Sequence, residues 1–134
     1  MLVLKMLEPN SLQESDVPER SRVLTSAIVE TARHLEIGST ELSRIIGVSQ
    51  PVASRLLNGH YFIKESTKEW ELSALVVRLY RGLLSIVGNN NQLAINWLRS
   101  PNHAFAGQQP IDAIKDVQGL VHVSEYVDAH HVGG

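Results

Sequence analysis

The sequence predicts an all-α protein of six or seven helices, and three observations lead to this prediction. Apolar residues recur at helical spacing from residue 16 onward, whereas the alternating pattern of strands is almost absent. Residue types that begin and end helices separate these segments. The composition, with 43% hydrophobic and 19% charged residues, is that of a folded protein. We therefore expect one helical core or two small ones.

The first helices are expected directly after an acidic N-terminal segment. Asp16 is predicted to cap a helix that has Pro18 in its first turn and that ends at Gly38. Ser39 or Thr40 is then expected to cap a short second helix.

The second half of the chain is expected to contain one long helix and two shorter ones. Ser66 and Glu69 form a capping box that begins the long helix, which extends to about Val87. A shorter helix follows the asparagines at 89–91, and a last helix covers about 116–129. The long helix is apolar over much of its circumference, so other elements must cover it on more than one side.

The composition also excludes several protein classes. The chain has no cysteine, which excludes a disulfide framework and a sulfur-ligated zinc finger and favours a reducing compartment. No apolar run approaches the roughly 20 residues that span a bilayer. The apolar residues 1–7 lack the other features of a secretory signal. We therefore expect a cytoplasmic protein that binds no membrane.

Positive charge is concentrated in one segment, although the net charge is −2. Residues 20–64 carry six Arg and Lys against three Glu, whereas residues 1–19 carry one Lys against four acidic residues. A local basic surplus of this size is a mild indication of contact with nucleic acid.

Residues 40–57 have the pattern of two short helices joined by a tight turn. Gly47 permits the turn, and Ser49 caps the second helix. Ala53 stands where Val or Ile is usual. The small core between the helices would be formed by Leu42, Ile46, Val48 and Leu56. The segment predicts a helix-turn-helix that reads DNA, and the alternative is an ordinary helical hairpin.

The second helix of this motif carries the residues expected to face DNA. Glutamine at position 50 can contact adenine and arginine at position 55 can contact guanine, each by two hydrogen bonds. The helix N-terminus favours a phosphate, and two flanking basic residues, at 44 and 64, are expected to contact phosphates as well. The predicted DNA-binding residues are Gln50, Pro51, Ser54, Arg55, Arg44 and Lys64.

A second distinctive segment begins at the end of a helix, continues through a proline turn and a glycine, and leads to the last helix. Its motif residues are Trp97, Leu98, Pro101, Asn102, Gly107, Pro110 and Gly119. Structural packing alone is the alternative explanation for several of them. With the helix-turn-helix before it, the segment resembles the Xre/MbcA/ParS-type antitoxins, the partners of RES-domain toxins, over roughly residues 20–130. Phe105 departs from the smaller aliphatic residue that is commoner there.

This resemblance implies an antitoxin that neutralises a RES-domain toxin, which consumes NAD or transfers ADP-ribose, and that represses its own operon. The last helix and the chain end are then expected to approach the toxin, through Val123, Tyr126, Val127, His130 and His131. One apolar side of this helix would face the core, formed by Val117, Leu120, Val121 and Val127, while Val123 and Tyr126 would extend the apolar surface onto another side.

We expect a division into an N-terminal extension (1–19), which departs from the family's pattern, a helix-turn-helix domain (20–65), and a long connecting helix with the toxin-binding domain (66–134). A homodimer is expected because the long helix has excess apolar surface and operators are palindromic; a hetero-oligomer with the toxin is expected too. Because the two motifs lie at opposite ends of the chain, we expect DNA binding and neutralisation to be separable.

No catalytic residue, metal site or cofactor is predicted. The six histidines show no convincing ligand spacing, and no nucleophile with a matching base is evident. Asp112 and Asp116 are expected to cap helices. We therefore expect a protein that is not an enzyme. The alternative function is a stand-alone transcription regulator whose C-terminal half dimerises or senses a ligand.

Overall fold

The structure, a computed structural model, describes residues 16–130. This range contains seven α-helices, one 3-10 helix and no strand, which confirms the predicted all-α fold. None of these helices has the length and apolar character needed to cross a membrane. The elements are α1 (Glu19–His34), α2 (Ser39–Ile46), α3 (Gln50–Leu57), α4 (Lys68–Ile86), α5 (Asn91–Leu98), the 3-10 helix His103–Phe105, α6 (Pro110–Ala113) and α7 (Val117–His130).

The long helix α4 lies at the centre of the fold. It packs against α1 and α2 on the N-terminal side and along α7 on the C-terminal side, as expected for a helix with a wide apolar surface. The buried apolar side chains form one continuous core from Ile28 in α1 to Val127 in α7. The core therefore crosses the boundary expected between residues 65 and 66.

The first two helices begin differently from the prediction. Pro18 is the N-cap of α1 and no side chain caps this helix, so the assignment of Asp16 as its cap was wrong. Because proline fixes φ near the helical value, it starts the helix without a side-chain cap. Gly38, in an extended conformation, is the N-cap of α2, so Ser39 and Thr40 lie inside its first turn instead of capping it.

Two later caps are formed by hydroxyl groups. Ser49 Oγ accepts a hydrogen bond from Val52 N–H at 3.3 Å, which confirms the predicted cap of α3. Thr67 Oγ1 accepts from Trp70 N–H at 3.2 Å, so the cap of α4 lies one residue after the predicted Ser66. Ser66 has a positive φ of 65° and belongs to the turn before the helix.

The segment before the last helix contains two short helices that the sequence does not predict. They are the 3-10 helix His103–Phe105 and α6 (Pro110–Ala113). Both are shorter than the window in which helical periodicity can be recognised. The last helix, Val117–His130, lies within one residue of its predicted bounds.

Candidate functional site

The helices α2 and α3 are joined by a tight turn at Gly47. Gly47 has a left-handed backbone with a φ of 73°, and Val48 N–H donates to the carbonyl of Ser43 at 3.0 Å. The two helices enclose a fully buried set of apolar side chains: Leu42, Ile46, Ala53 and Leu56. Val48 is only half-buried. The small Ala53 therefore leaves no opening to solvent between the helices.

Most of the side chains predicted to face DNA are exposed, either on this helix pair or, for Lys64, in the connector that follows it. The exposed residues are Gln50, Pro51, Arg55, Arg44 and Lys64, whereas Ser54 is half-buried. Gln50 Nε2 donates to Thr40 Oγ1 at 3.0 Å, which ties the start of α3 to the first turn of α2. Gln50 and Arg55 thus lie on one short helix whose N-terminus is exposed.

The side chain of Tyr61 supports Arg55 from the connector that follows α3. The Arg55 guanidinium lies 6.0 Å from the centre of the Tyr61 ring, at the limit of a cation–π contact. The Tyr61 hydroxyl donates to Glu69 Oε1 at 2.7 Å. Burial and this hydrogen bond raise the pKa of Tyr61 to about 12, so its hydroxyl keeps the proton that it donates. No local sequence pattern singles out Tyr61.

In the C-terminal half, the motif residue Asn102 organises a compact turn. Its Oδ1 accepts from Ala104 N–H at 2.9 Å, and its carbonyl accepts from the N–H groups of Phe105 and Gly107, each at 3.0 Å. Gly107 has a φ of 83°, which favours glycine. The Pro101 side chain before this turn is exposed. Asn102 and Gly107 therefore have structural roles in forming the turn.

Three other motif residues hold α6 and α7 against the core. Leu98 and Pro110 are buried. A Cβ atom on Gly119 would overlap the backbone carbonyl of Ala113, so only glycine fits between these helices as they stand. The Gly119 N–H donates to Asp116 Oδ1 at 2.7 Å, which gives Asp116 the capping role expected of it.

An aromatic cluster connects the motif to α7. Phe105 is buried and meets Trp97 and Tyr126 edge to face, with ring centres 6.0 and 5.2 Å away. Tyr126 stacks on His130 at 4.2 Å between ring centres, and His122 contacts the Phe105 ring at 5.1 Å. The large Phe105 thus has a packing role, and both histidines are exposed beside it.

The predicted toxin contacts on α7 divide into two groups. Val123 and Val127 are 0% and 1% exposed and lie in the core. In the folded chain, neither Val123 nor Val127 therefore offers surface to a partner, in contrast to the expectation from the sequence. Tyr126 is half-buried and His130 is exposed. His131 lies outside the described residues.

Two apolar side chains expected in the core are instead on the surface of α7. Val117 and Val121 are 58% and 39% exposed, one helical turn apart. Leu120, which lies between them in the sequence, is buried, and so is Ser124 one turn further along the helix. Helical spacing identifies both valines as part of an apolar surface of α7, but the prediction that they face the core was wrong.

An ion-pair network joins the C-terminal motif to α2. Arg99 donates to both carboxylate oxygens of Glu41, at 3.1 and 2.7 Å. Lys115 Nζ lies 3.7 Å from Glu41 Oε2 and 2.8 Å from Asp112 Oδ1. The hydrogen bond from Arg99 lowers the pKa of Glu41 below its usual value, against the opposing effect of burial. Asp112, in α6, thus pairs with Lys115, which follows this helix, in place of its predicted capping role.

Comparison with known proteins bears on the C-terminal half. Residues 83–133 match the family model described as the antitoxin Xre/MbcA/ParS C-terminal toxin-binding domain. The match covers the motif turn, the aromatic cluster and α7. No curated protein matches the chain at a significant level. The resemblance to Xre/MbcA/ParS-type antitoxins is therefore confirmed over residues 83–133, which are similar to that family of toxin-binding domains.

Proposed function

We propose that the chain is an antitoxin that binds and neutralises a RES-domain toxin and represses its own operon by binding DNA. The observation that carries this proposal is the match of residues 83–133 to an antitoxin toxin-binding domain. The helix pair α2–α3, packed on the same core, supplies the second surface that an autorepressor needs. In this proposal the chain acts by stoichiometric binding in the cytoplasm and not by catalysis.

The charge distribution around α3 supports contact with DNA. Arg55 and Arg44 are exposed on the helix pair, and Gln50 lies at the start of α3, as a helix-turn-helix reader requires. Glu41, the single acidic residue of α2, forms ion pairs with Arg99 and Lys115. Its charge therefore opposes the approach of a phosphate less than that of an unpaired carboxylate would.

The exposed side of α7 supports contact with a toxin. Val117 and Val121 offer apolar surface, and Tyr126 with His130 offers a stacked aromatic pair beside Phe105. Aromatic side chains in such positions are frequent anchors of protein interfaces. We propose that these residues, together with His131, contact the toxin, whereas Val123 and Val127 support them from the core.

Replacing Arg55 by alanine tests the DNA half of the proposal. Arg55→Ala should weaken binding to the upstream region of its own operon by about 1–3 kcal/mol and relax its sequence preference. Arg78→Ala is the matched control, because it removes another exposed arginine, which lies outside the helix pair and pairs with Asp128 of α7. Gel-shift titrations would measure both. Equal affinity of Arg55→Ala and the parent would show that α3 does not read bases.

Co-expression with the neighbouring gene product tests the toxin half. If that gene encodes a RES-domain protein, the chain should form a complex with it, restore growth and preserve cellular NAD. A neighbouring gene of another kind, together with intact operator binding, would favour the stand-alone transcription regulator instead.

A further inference from the structure

Arg99 lies in the segment that matches the toxin-binding domain, residues 83–133, which is called the toxin-binding segment below. Its side chain nevertheless contacts the N-terminal half of the chain. Its two terminal nitrogens hold both oxygens of Glu41 on α2, at 3.1 and 2.7 Å. A bidentate arginine–carboxylate pair fixes the relative orientation of its partners as well as their distance. Arg99 therefore determines where the first turn of α2 lies relative to α5.

Two neighbouring contacts reinforce this pair. Arg99 Nη2 also donates to the carbonyl of Glu36 at 3.4 Å, just before α2 begins. Lys115, two residues after the end of α6, approaches Glu41 Oε2 to 3.7 Å. The side chains of Arg99 and Glu41 are 36% and 25% exposed, so solvent screens the pair less than it screens a fully exposed one.

The first turn of α2 also binds the side chain of Gln50, which is proposed to read DNA. Thr40 is adjacent to Glu41, and its Oγ1 accepts the hydrogen bond from Gln50 Nε2 at 3.0 Å. Ser43 Oγ donates to the carbonyl of Thr40 at 2.8 Å and stabilises the turn. A continuous set of contacts thus runs from Arg99 through Glu41 and Thr40 to Gln50.

We propose that Arg99 is a positioning residue for DNA recognition, because it holds the turn of α2 that orients Gln50 at the start of α3. This inference rests on the proposed binding of DNA by α3. It also modifies the expectation that DNA binding and toxin neutralisation are separable, since one residue of the toxin-binding segment takes part in operator discrimination.

The test compares two DNA duplexes, one from the upstream region of the operon and one with the same bases shuffled. Fluorescence anisotropy gives the ratio of the two affinities. Arg99→Gln should lower this ratio about five- to tenfold, with little change in binding to the shuffled duplex. Glu41→Gln should have the same effect, and the double variant should be no worse than either single one. Arg78→Gln, which breaks the pair with Asp128, is the control and should leave the ratio unchanged.

If Arg99 only stabilised the fold, Arg99→Gln would lower the melting temperature without changing the ratio of the two affinities. Thr40→Val covers the case in which Arg99→Gln fails to fold, because it removes the hydroxyl that holds Gln50 and leaves the ion pair intact. It should lower the ratio to a similar extent. If the parent discriminates and a folded Arg99→Gln discriminates equally well, the inference is overturned; if Arg99→Gln does not fold, equal discrimination by Thr40→Val overturns it. If the parent itself does not discriminate, the proposed DNA binding is wrong and the inference fails with it.

Discussion

Gly119 shows how a single residue can fix the arrangement of two helices. Its role comes from the absence of a side chain at the closest approach of α7 to α6, since an added Cβ would overlap the Ala113 carbonyl. The sequence identifies Gly119 as part of a motif but does not reveal this contact. The reason is that the close approach depends on α6, a helix too short to be predicted.

Gly119→Ala should therefore destabilise the fold by about 1–3 kcal/mol or more, because backbone atoms have to move to admit the methyl group. Urea unfolding followed by circular dichroism would measure the change. Gly38→Ala is the matched control, because no atom lies within 4 Å of the added Cβ. We expect it to change stability by less than about 1 kcal/mol. Similar losses in the two variants would contradict the steric explanation.

The Glu41 carboxylate makes the stability of the fold depend on pH in the acid range. Its hydrogen bond with Arg99 lowers its pKa in the folded chain below the usual 4.5. The charged Glu41 carboxylate stabilises the fold fully above pH 4.5, and this stabilisation is lost as the pH falls through the lowered pKa of Glu41. The parent should thus be more stable than Glu41→Gln at neutral pH, and this difference should shrink in acid. Urea unfolding at a series of pH values measures it, and a difference that does not vary with pH would contradict the assignment.

At the scale of elements, α7 illustrates the limit of helical periodicity. Its apolar residues occupy more than one side, so the spacing alone cannot decide which side packs against α4. The structure buries Leu120, Val123 and Val127 and exposes Val117 and Val121. The existence and approximate bounds of the longer helices and the α2–α3 turn could be predicted, because each depends on local sequence, whereas α6 and the 3-10 helix are too short for this.

Changes on the two sides of α7 should have different effects. Val121→Glu places a charge on the exposed side and should weaken toxin binding about tenfold or more with little loss of stability. Val123→Ala removes buried methyl groups and should lower the free energy of unfolding by about 1–3 kcal/mol. Calorimetric titration with the purified toxin and urea unfolding would separate these effects. Unchanged toxin affinity in Val121→Glu would place the interface elsewhere.

At the scale of the whole molecule, the continuous core brings together residues that the sequence places far apart. Arg99 and Glu41 are separated by 58 positions, and no local pattern connects them. Tyr61 likewise gains its role only because α4 brings Glu69 to its hydroxyl. The sequence could therefore indicate two functional segments, but their ion-pair connection depends on the tertiary fold.

The expected homodimer provides the last prediction. Val23, which is 62% exposed, lines a groove of about 310 Å³ between α1 and α4. Glu19 and Arg81 also line this groove, so a two-fold related copy can pair opposite charges across it. Light scattering should show a dimer for the parent and a monomer for Val23→Glu. Ile86→Glu, at an exposed position outside the groove, should remain dimeric. A monomeric parent at micromolar concentration, alone and on DNA, would contradict the dimer, and a dimeric Val23→Glu would place its interface on another surface.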